Sequence, residues 1–353
     1  MTPLAARIAG LIRETGPMTI ADYMQTCLSD SEHGYYATRD PFGASGDFVT
    51  APEVSQMFGE LIGLAIAQSW MDQGAPGHFN LVELGPGRGT LMADLLRATA
   101  RVPGFHDAAS IQLVETSPTL RALQTQNIRM ELTHHDALDS VPAAPTFLVA
   151  NEFFDALPIR QFIRDGDGWR ERVVGLANDQ LAFGLTDKTQ RPDLSHRLDD
   201  TRDGDLVEAC LQAQNIAAEI GKRLDASGGV ALLFDYGDWR SLGDTFQGLK
   251  EHTSLSPLEA PGLSDLTAHV DFEAIATAAS PAQHARLTPQ GVFLERLGIV
   301  ERARALAGNL SGDALDQHVA AHRRLTHPDE MGTLFKVMAL YPQDAPIPPG
   351  VMA

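Results

Sequence analysis

The sequence predicts an α/β fold built on a doubly wound, mainly parallel sheet with an antiparallel strand, preceded by N-terminal helices. Short apolar runs begin near residues 79, 110 and 146, and the first two are each followed by a turn and an amphipathic segment. Strands that alternate with helices in this way form parallel sheets with helices on both faces. A further apolar run over 229–236 predicts that the sheet resumes later in the chain.

Helical spacing of apolar residues predicts two helices at the start of the chain, over 4–15 and 21–28. The stretch that follows is rich in glycine, aromatic and turn residues, and it predicts an ordered loop. After this loop, Thr50 and Glu53 have the spacing of a capping box. We therefore expect one long helix over 53–71.

The second half of the chain shows a less regular pattern. Alternating segments on either side of Asp165 and Gly166 predict an antiparallel hairpin. The remaining predictions are, in chain order, a polar loop over 186–205, a helix over 207–224, a buried strand over 229–236, a loop over 238–262, helices over 270–280 and 313–325, and a final strand over 334–341.

The charge balance bears on the class of partner. The 353 residues include 46 acidic and 27 basic side chains, for a formal net charge of -19. Nucleic-acid binders usually carry a basic surface, so nucleic acid is not an expected partner. The acidity suits a cationic substrate, although solubility alone also accounts for an acidic surface. Hydrophobic residues at 44% and charged residues at 21% exclude global disorder.

Neither a membrane segment nor a metal site is expected. No window approaches the roughly 18 consecutive apolar residues of a membrane span, and the N-terminus lacks an apolar run with a small-residue cleavage site. Cys27 and Cys210 stand far apart and outside any zinc-binding spacing. We therefore expect a cytoplasmic protein without metal or membrane insertion, while its oligomeric state does not follow from the sequence.

A glycine loop that contains Gly85, Pro86 and Gly87 lies between the first predicted strand and its helix. Glycines there let the backbone approach a ligand closely. Glu83 ends the preceding strand and Glu115 ends the next one. In doubly wound folds an acid at that second position accepts hydrogen bonds from a ribose diol. These residues predict a nucleoside-containing ligand, with a purely structural turn as the alternative.

A third acid, Asp136, follows the third predicted strand, where it can reach an adenine edge or a ligand's amino group. Taken alone, it is equally an ordinary surface acid. The spacing of LVELGPGRGT, LVETSP and HHDAL resembles the S-adenosylmethionine (SAM) site of class I methyltransferases. A nicotinamide site is the competing interpretation, but its fingerprint prefers GxGxxG at the start of the helix. SAM is cationic and carries no phosphate, so it favours nearby carboxylates.

Asn151 and Glu152 follow the fourth predicted strand, which such folds place beside the reacting methyl group. Several motifs resemble the MidA-type methyltransferases; in chain order they are GDFVTAPEVSQMFGELIG, VELGPGRGT, NEFFDALPIRQF, FDYG and LTAHVDF. That family includes the mitochondrial arginine methyltransferase needed for respiratory complex I assembly. The resemblance extends over about 4–341 and, since no mitochondrial presequence is seen, indicates a bacterial relative.

The resemblance also implies a domain organisation. A Rossmann-like class I methyltransferase domain over 51–353 follows a helical preface and loop over 1–50. We expect an insertion at about 159–226 and an acceptor-side segment at about 238–330 within that domain.

The function that the resemblance implies is SAM-dependent methylation of an arginine guanidino nitrogen in a partner protein, with a complex I subunit as one candidate. A guanidinium is planar and permanently charged, so an acid-lined pocket can hold it bidentately. Glu152 and Asp155 are the candidates for that clamp, and Asn151 is grouped with the cofactor-binding residues. The alternative is an assembly protein that binds SAM without turnover.

Two further groups take their roles from their positions in the motifs. Asp235, Tyr236 and His269 are placed near the acceptor. Gly46 and Asp47 are expected to close over the cofactor as a lid, the alternative being a loop without ligand contact.

Overall fold

The computed structural model describes residues 2–35, 50–250 and 253–352. The helices are α1 (Pro3–Thr15), α2 (Ile20–Ser29), α3 (Ala51–Val54), α4 (Gln56–Asp72), α5 (Thr90–Thr99), α6 (Phe105–Ala108), α7 (Pro118–Asn127), α8 (Leu211–Ser227), α9 (Phe272–Ala278), α10 (Gln290–Arg296), α11 (Ile299–Ala307), α12 (Asp313–Thr326) and α13 (Met331–Leu334). The strands are β1 (Met18–Thr19), β2 (Phe79–Leu84), β3 (Ala109–Val114), β4 (Leu132–His135), β5 (Thr146–Asn151), β6 (Arg160–Asp165), β7 (Gly168–Ala177), β8 (Gln180–Leu185), β9 (Leu206–Ala209), β10 (Gly229–Asp238), β11 (Gln247–Lys250), β12 (Thr253–Leu255), β13 (Asp265–Thr267), β14 (Val270–Asp271), β15 (Gln283–His284), β16 (Thr288–Pro289) and β17 (Phe335–Tyr341).

The described residues form two compact units. The first unit comprises the described parts of Met1–Phe48, Asp155–Ala213 and Arg240–Asp271. The second comprises those of Val49–Phe154, Gln214–Trp239 and Phe272–Ala353. The first unit thus groups N-terminal residues with two segments from the second half of the chain. The domain boundaries expected from the sequence stay a prediction.

The second unit contains the main sheet, in the order β15-β17-β10-β5-β2-β3-β4. The pairs from β10 to β4 are parallel, whereas β17 runs antiparallel to β10. All six residues of β2 and all six of β5 are buried, as expected for central strands covered on both faces. The predicted doubly wound, mainly parallel sheet is therefore confirmed.

The helix predicted over 53–71 is interrupted. Ser55 is extended, with φ -163° and ψ 140°, so α3 ends before it and α4 begins after it. Thr50 makes no side-chain capping bond, and the Glu53 carboxylate instead accepts a hydrogen bond from the Thr90 hydroxyl at 2.5 Å. The capping-box prediction was wrong because Glu53 has a tertiary partner at the start of α5.

The first unit is built on an antiparallel sheet, in which β1, β7, β6 and β9 follow one another and β8 pairs with β7. The predicted hairpin is confirmed, since Asp165 pairs with Gly168 across the turn. The helix predicted over 207–224 was wrong at its start, because Val207 pairs with Phe162 in the sheet and α8 begins at Leu211. The loop predicted over 238–262 was also wrong, since it contains β11 and β12.

The elements that were not predicted include β8, α10 and α11. The close packing around α10 has a visible cause. A Cβ on Gly291 would lie 2.4 Å from the Thr326 carbonyl oxygen, and one on Gly332 would lie 2.0 Å from the same atom.

Among the helices of the described residues, none combines the length and apolar character needed to cross a membrane.

Candidate active site

The candidate residues of the second unit meet at one edge of its sheet. Leu84 of β2 pairs with Val114 of β3, and Val114 pairs with His135 of β4. On the other side of β2, Ala150 pairs with Leu84. The carboxyl ends of these parallel strands are therefore adjacent, where doubly wound folds bind their ligands. The residues at this edge are Glu83, Gly85, Pro86, Gly87, Glu115, Asp136, Asn151, Glu152, Asp235 and Tyr236.

Glu83 is buried at the end of β2, with 3% of its surface exposed. Its Oε2 atom has no hydrogen-bond partner among the described residues. Burial raises the pKa of Glu83 to about 8, and a hydrogen bond from the backbone of Met92 opposes that rise only in part. At neutral pH the ligand-free protein therefore holds this side chain mainly as the acid, and a cationic group nearby would favour the carboxylate.

This buried acid predicts a pH dependence of stability. The folded chain retains a proton up to about pH 8 that the unfolded chain releases near its ordinary pKa of 4.5. The free energy of unfolding should therefore fall as the pH rises from 5 to 8, by up to about 1.4 kcal/mol per pH unit. In Glu83→Gln this contribution should disappear. Urea denaturation of both proteins at pH 5, 6, 7 and 8, without ligand, checks it, with Glu131→Gln at an exposed position as the control. Parallel profiles for wild type and Glu83→Gln would contradict the shifted pKa.

The turn after β2 needs its glycines. Gly85 has φ +61°, Gly87 has φ +53° and Gly89 has φ +80°, all in the left-handed region that side chains disfavour. A Cβ on Gly85 would also lie 2.8 Å from a ring carbon of Phe153. The Gly85 N–H donates to the Val114 carbonyl at 3.0 Å, which holds the loop against the end of β3. The loop thus presents backbone, without side chains, at the sheet edge.

Arg121 connects the two acids that follow β3 and β4. Its Nε donates to the Glu115 carbonyl at 2.7 Å, and its Nη2 donates to Asp136 Oδ1 at 2.6 Å. The Glu115 carboxylate accepts hydrogen bonds from the N–H groups of Thr116 and Ser117, each at 2.8 Å. Burial raises the pKa of Glu115, and these hydrogen bonds oppose the rise. The geometry holds Glu115 in one orientation, while the Asp136 side chain is 86% exposed.

Glu152 occupies a strained turn directly after β5. Its φ is +50°, which is uncommon for a residue with a side chain and is typical of functional sites. Its Oε1 accepts hydrogen bonds from the Ala51 N–H and from Asn151 Nδ2, both at 3.0 Å. Its own N–H donates to the Phe234 carbonyl at 2.9 Å. Asn151 Oδ1 is buried without a partner among the described residues.

Asp235 holds the same turn from the neighbouring strand. It is fully buried, and its Oδ2 accepts hydrogen bonds from the N–H groups of Phe153 at 3.2 Å and Phe154 at 2.9 Å. Its Oδ1 accepts from the Tyr236 N–H at 3.0 Å. Tyr236 itself is half-buried, and its ring packs edge-to-face on Phe335 at 5.6 Å. Asp235 therefore holds the backbone that directly follows Glu152.

Two predicted site residues belong to the first unit. The Asp155 carbonyl accepts a hydrogen bond from the Ala268 N–H at 3.0 Å, so the segment that carries His269 lies against Asp155. The His269 N–H in turn donates to Thr245 Oγ1 at 2.8 Å. Asp155 is buried and His269 is exposed. Gly46 and Asp47 lie outside the described residues.

Sequence reasoning missed two side chains that organise this edge, Arg121 and Gln124. Both lie on α7, and both side chains extend to this edge of the sheet. In the sequence, each looks like an ordinary polar residue of a helix. Gln124 is fully buried, which no local pattern indicates. Within 2–35, 50–250 and 253–352, no cluster of His, Cys, Asp and Glu side chains is arranged to hold a metal ion.

The sheet order, the glycine turn and the acids at successive strand ends define the class of protein, a class I SAM-dependent methyltransferase. A family model for S-adenosyl-L-methionine-dependent methyltransferases, Methyltransf_28, matches residues 61–291, and the chain belongs to this family. The assignment favours SAM over the nicotinamide alternative.

Similarity to individual relatives and to a solved structure supports the same family assignment. The chain is 35% identical over 373 residues to human mitochondrial "Protein arginine methyltransferase NDUFAF7", covering 97% of this chain and 84% of that protein. The Drosophila melanogaster homolog is 33% identical over 372 residues, covering 96% of this chain and 85% of its own. A crystal structure from Burkholderia thailandensis bound to S-adenosyl-homocysteine has a TM-score of 0.84 at 27% identity, covering 98% of this chain and 93% of that one.

The side chains at the edge fit this cofactor. SAM carries a cationic amino group and a sulfonium, and the edge offers the buried Glu83 Oε2 and Asn151 Oδ1, neither with a partner among the described residues. A cation placed against Glu83 would offset the cost of ionising a buried acid.

Proposed function

We propose that this methyltransferase modifies an arginine guanidino nitrogen of a partner protein. The observation that carries the proposal is the extent of similarity to proteins named protein arginine methyltransferase, at 35% identity over 97% of this chain. A subunit of respiratory complex I is the partner that we propose, and the cytoplasm is the proposed compartment.

The edge geometry supports the cofactor-binding roles that we propose. Glu83 binds the amino group of the cofactor, and Gly85, Pro86 and Gly87 let the backbone lie against it. Glu115 accepts hydrogen bonds from the ribose diol, in the orientation that its backbone bonds impose.

Four other positions complete the proposed cofactor set. Asp136 reaches the adenine edge, and Asn151 offers a buried amide oxygen. Gly46 and Asp47 are proposed to cover the site as a lid.

When bound, SAM supplies an electrophilic methyl group on a positively charged sulfur. The chain's own contribution is to hold the acceptor. Glu152 has a carboxylate fixed by hydrogen bonds from Ala51 and Asn151, so it can bind a planar guanidinium without first ordering itself. Methyl transfer would break the bond between that methyl group and sulfur, and the electron pair of this bond would stay on sulfur. The new N–C bond would add positive charge to the acceptor nitrogen, and a nearby carboxylate would stabilise that charge and take the proton that the nitrogen loses.

The remaining candidates are proposed to support this step. Asp235 acts through the backbone turn that it holds, since its oxygens accept the N–H groups of Phe153, Phe154 and Tyr236. Tyr236, Asp155 and His269 are proposed to contact the acceptor protein.

Transfer of a labelled methyl group tests the proposal. The purified protein and methyl-tritiated SAM are added to a bacterial extract that contains complex I subunits, and labelled proteins are identified by mass spectrometry. We expect label on an arginine of a complex I subunit and methylarginine after acid hydrolysis. Label on lysine or on a small amine would overturn the arginine assignment. Saturable binding of S-adenosylhomocysteine with no labelled product in any extract would favour an assembly protein without turnover.

A further inference from the structure

The four-residue helix α3 is hydrogen-bonded both to the acid after β5 and to the start of α5. Its first residue, Ala51, donates its N–H to Glu152 Oε1 at 3.0 Å. Its third residue, Glu53, accepts a hydrogen bond from the Thr90 hydroxyl at 2.5 Å. Thr90 is the first residue of α5 and directly follows the glycine turn. One short helix therefore links Glu152 to the end of that turn.

The backbone of α3 is ordered by its own hydrogen bonds. The Thr50 carbonyl accepts the N–H groups of the third and fourth residues of the helix, at 2.9 and 3.2 Å. Pro52, the second residue, has no N–H, and its ring fixes φ. The Ala51 N–H is the remaining donor of this helix, and the Glu152 carboxylate accepts it. A displacement of α3 would therefore move the N–H that holds Glu152.

The position of α3 does not follow from the helix after it. Ser55 is extended, and its hydroxyl accepts a hydrogen bond from the Met57 N–H at 3.2 Å, so it caps α4 as a separate helix. Because the chain is interrupted there, α3 does not share the regular backbone hydrogen bonds of α4. The bond between Glu53 and Thr90 instead ties α3 to α5 directly.

We propose that Glu53 is a positioning residue for methyl transfer: through Thr90 it fixes α3 against the start of α5, and α3 then holds the Glu152 carboxylate through the Ala51 N–H. This inference rests on the proposed role of Glu152. It gives the glycine turn beside the cofactor and the acid that meets the acceptor a common support, so that the two reactants are placed relative to each other.

Two pairs of substitutions test the hydrogen bond from its two ends. Thr90→Val removes the hydroxyl and keeps the branched shape, whereas Thr90→Ser keeps the hydroxyl. Glu53→Met removes the acceptor, whereas Glu53→Gln keeps an oxygen that can accept from Thr90. If the hydrogen bond positions Glu152, the conservative member of each pair should keep what the other member loses.

The test uses the full chain, methyl-tritiated SAM and the bacterial extract that contains complex I subunits. We expect Thr90→Val and Glu53→Met to lower the labelling rate at saturating SAM about tenfold, because Glu152 is then less well placed. Thr90→Ser and Glu53→Gln should stay within about twofold of wild type. Dissociation constants for S-adenosylhomocysteine, measured by calorimetry, should stay within about threefold in all four variants, so that the loss falls on turnover.

A combined variant tests whether the effect passes through Glu152. Thr90→Val should lower the rate about tenfold in wild type but less than about twofold in Glu152→Gln, which has already lost the group that the contact positions. Thr15→Val is the matched control. The Thr15 hydroxyl donates to the Leu11 carbonyl at 2.9 Å within α1, and its removal should change neither the labelling rate nor the affinity.

The possible failures are distinguishable. A wild-type rate in both Thr90→Val and Glu53→Met, with the rate lost in Glu152→Gln, would overturn the positioning role alone. An equal loss of affinity and of rate would assign the contact to cofactor binding and would also overturn that role. A full rate in Glu152→Gln would overturn the role of Glu152 and the inference with it. No labelled product with wild type would overturn the proposed function itself.

Discussion

Glu152→Gln should lower kcat by at least about 100-fold, the usual size of a general acid-base contribution, and leave the affinity for S-adenosylhomocysteine within about twofold. The Gln side chain can keep the oxygen that accepts from the Ala51 N–H and Asn151 Nδ2, so the strained turn should survive. It cannot take a proton or balance a guanidinium charge. The loss should therefore fall on turnover and leave cofactor binding nearly unchanged.

Steady-state methyl transfer and calorimetry on the same preparation check this expectation. Glu131→Gln, at an exposed position, removes one carboxylate elsewhere and should behave as wild type. Full turnover in Glu152→Gln would contradict the proposed catalytic role of Glu152.

Asp235→Asn gives an informative comparison. Both Asp235 oxygens accept backbone N–H groups, so an amide must place its own N–H against one of them. Its effect should reach Glu152 through the backbone and should include a loss of stability that Glu152→Gln does not show.

The second large effect is expected at the glycine turn, where Gly87→Val should weaken binding of S-adenosylhomocysteine by at least about 100-fold. Gly87 has φ +53°, and a β-branched side chain there is strained by roughly 1–2 kcal/mol or more. The chain would relieve that strain by moving the turn, and the carbonyl of Gly87 would move away from Gln124. The added methyl groups would also occupy the edge where we propose that the cofactor binds.

Gly312→Val is the matched control. Gly312 has φ +55°, and a Cβ added there would meet nothing within 4 Å, so the substitution introduces a similar backbone strain far from the candidate site in sequence. Thermal unfolding should show a loss of stability in both variants, whereas calorimetry should show lost binding in Gly87→Val alone. Equal affinity in the two variants would contradict the role of the turn.

Much of the fold could be predicted because its signals are local. An apolar run such as 229–236 predicts a strand that is buried on both faces of the sheet. The glycines at 85 and 87 predict a turn without reference to distant residues. Ser117 and Pro118 predict the start of α7 in the same way, and Ser117 Oγ does accept from the Leu120 N–H at 3.4 Å. These elements needed no knowledge of distant residues.

Two of the errors have a distant partner as their cause. The sequence predicts Val207 in a helix, but in the structure it pairs with Phe162 in a sheet. The sequence predicts Glu53 as a capping residue, but its carboxylate accepts a hydrogen bond from Thr90. Intrinsic preferences are worth a few tenths of a kcal/mol per residue, so a single tertiary hydrogen bond or strand pairing outweighs them.

The sequence by itself determined the mainly parallel sheet and the strand ends where the acids of the site fall, because period and turn chemistry act over a few residues. Only the tertiary structure decided how those acids are held. Asp235 is predicted near the acceptor, and the structure shows that its Oδ2 accepts hydrogen bonds from the backbone after Glu152. Gln124 gave no signal in the sequence, yet its buried amide donates to the Gly87 carbonyl and contacts His134. Burial and hydrogen-bond partners arise only when separate segments meet, and they turn ordinary polar residues into parts of a site.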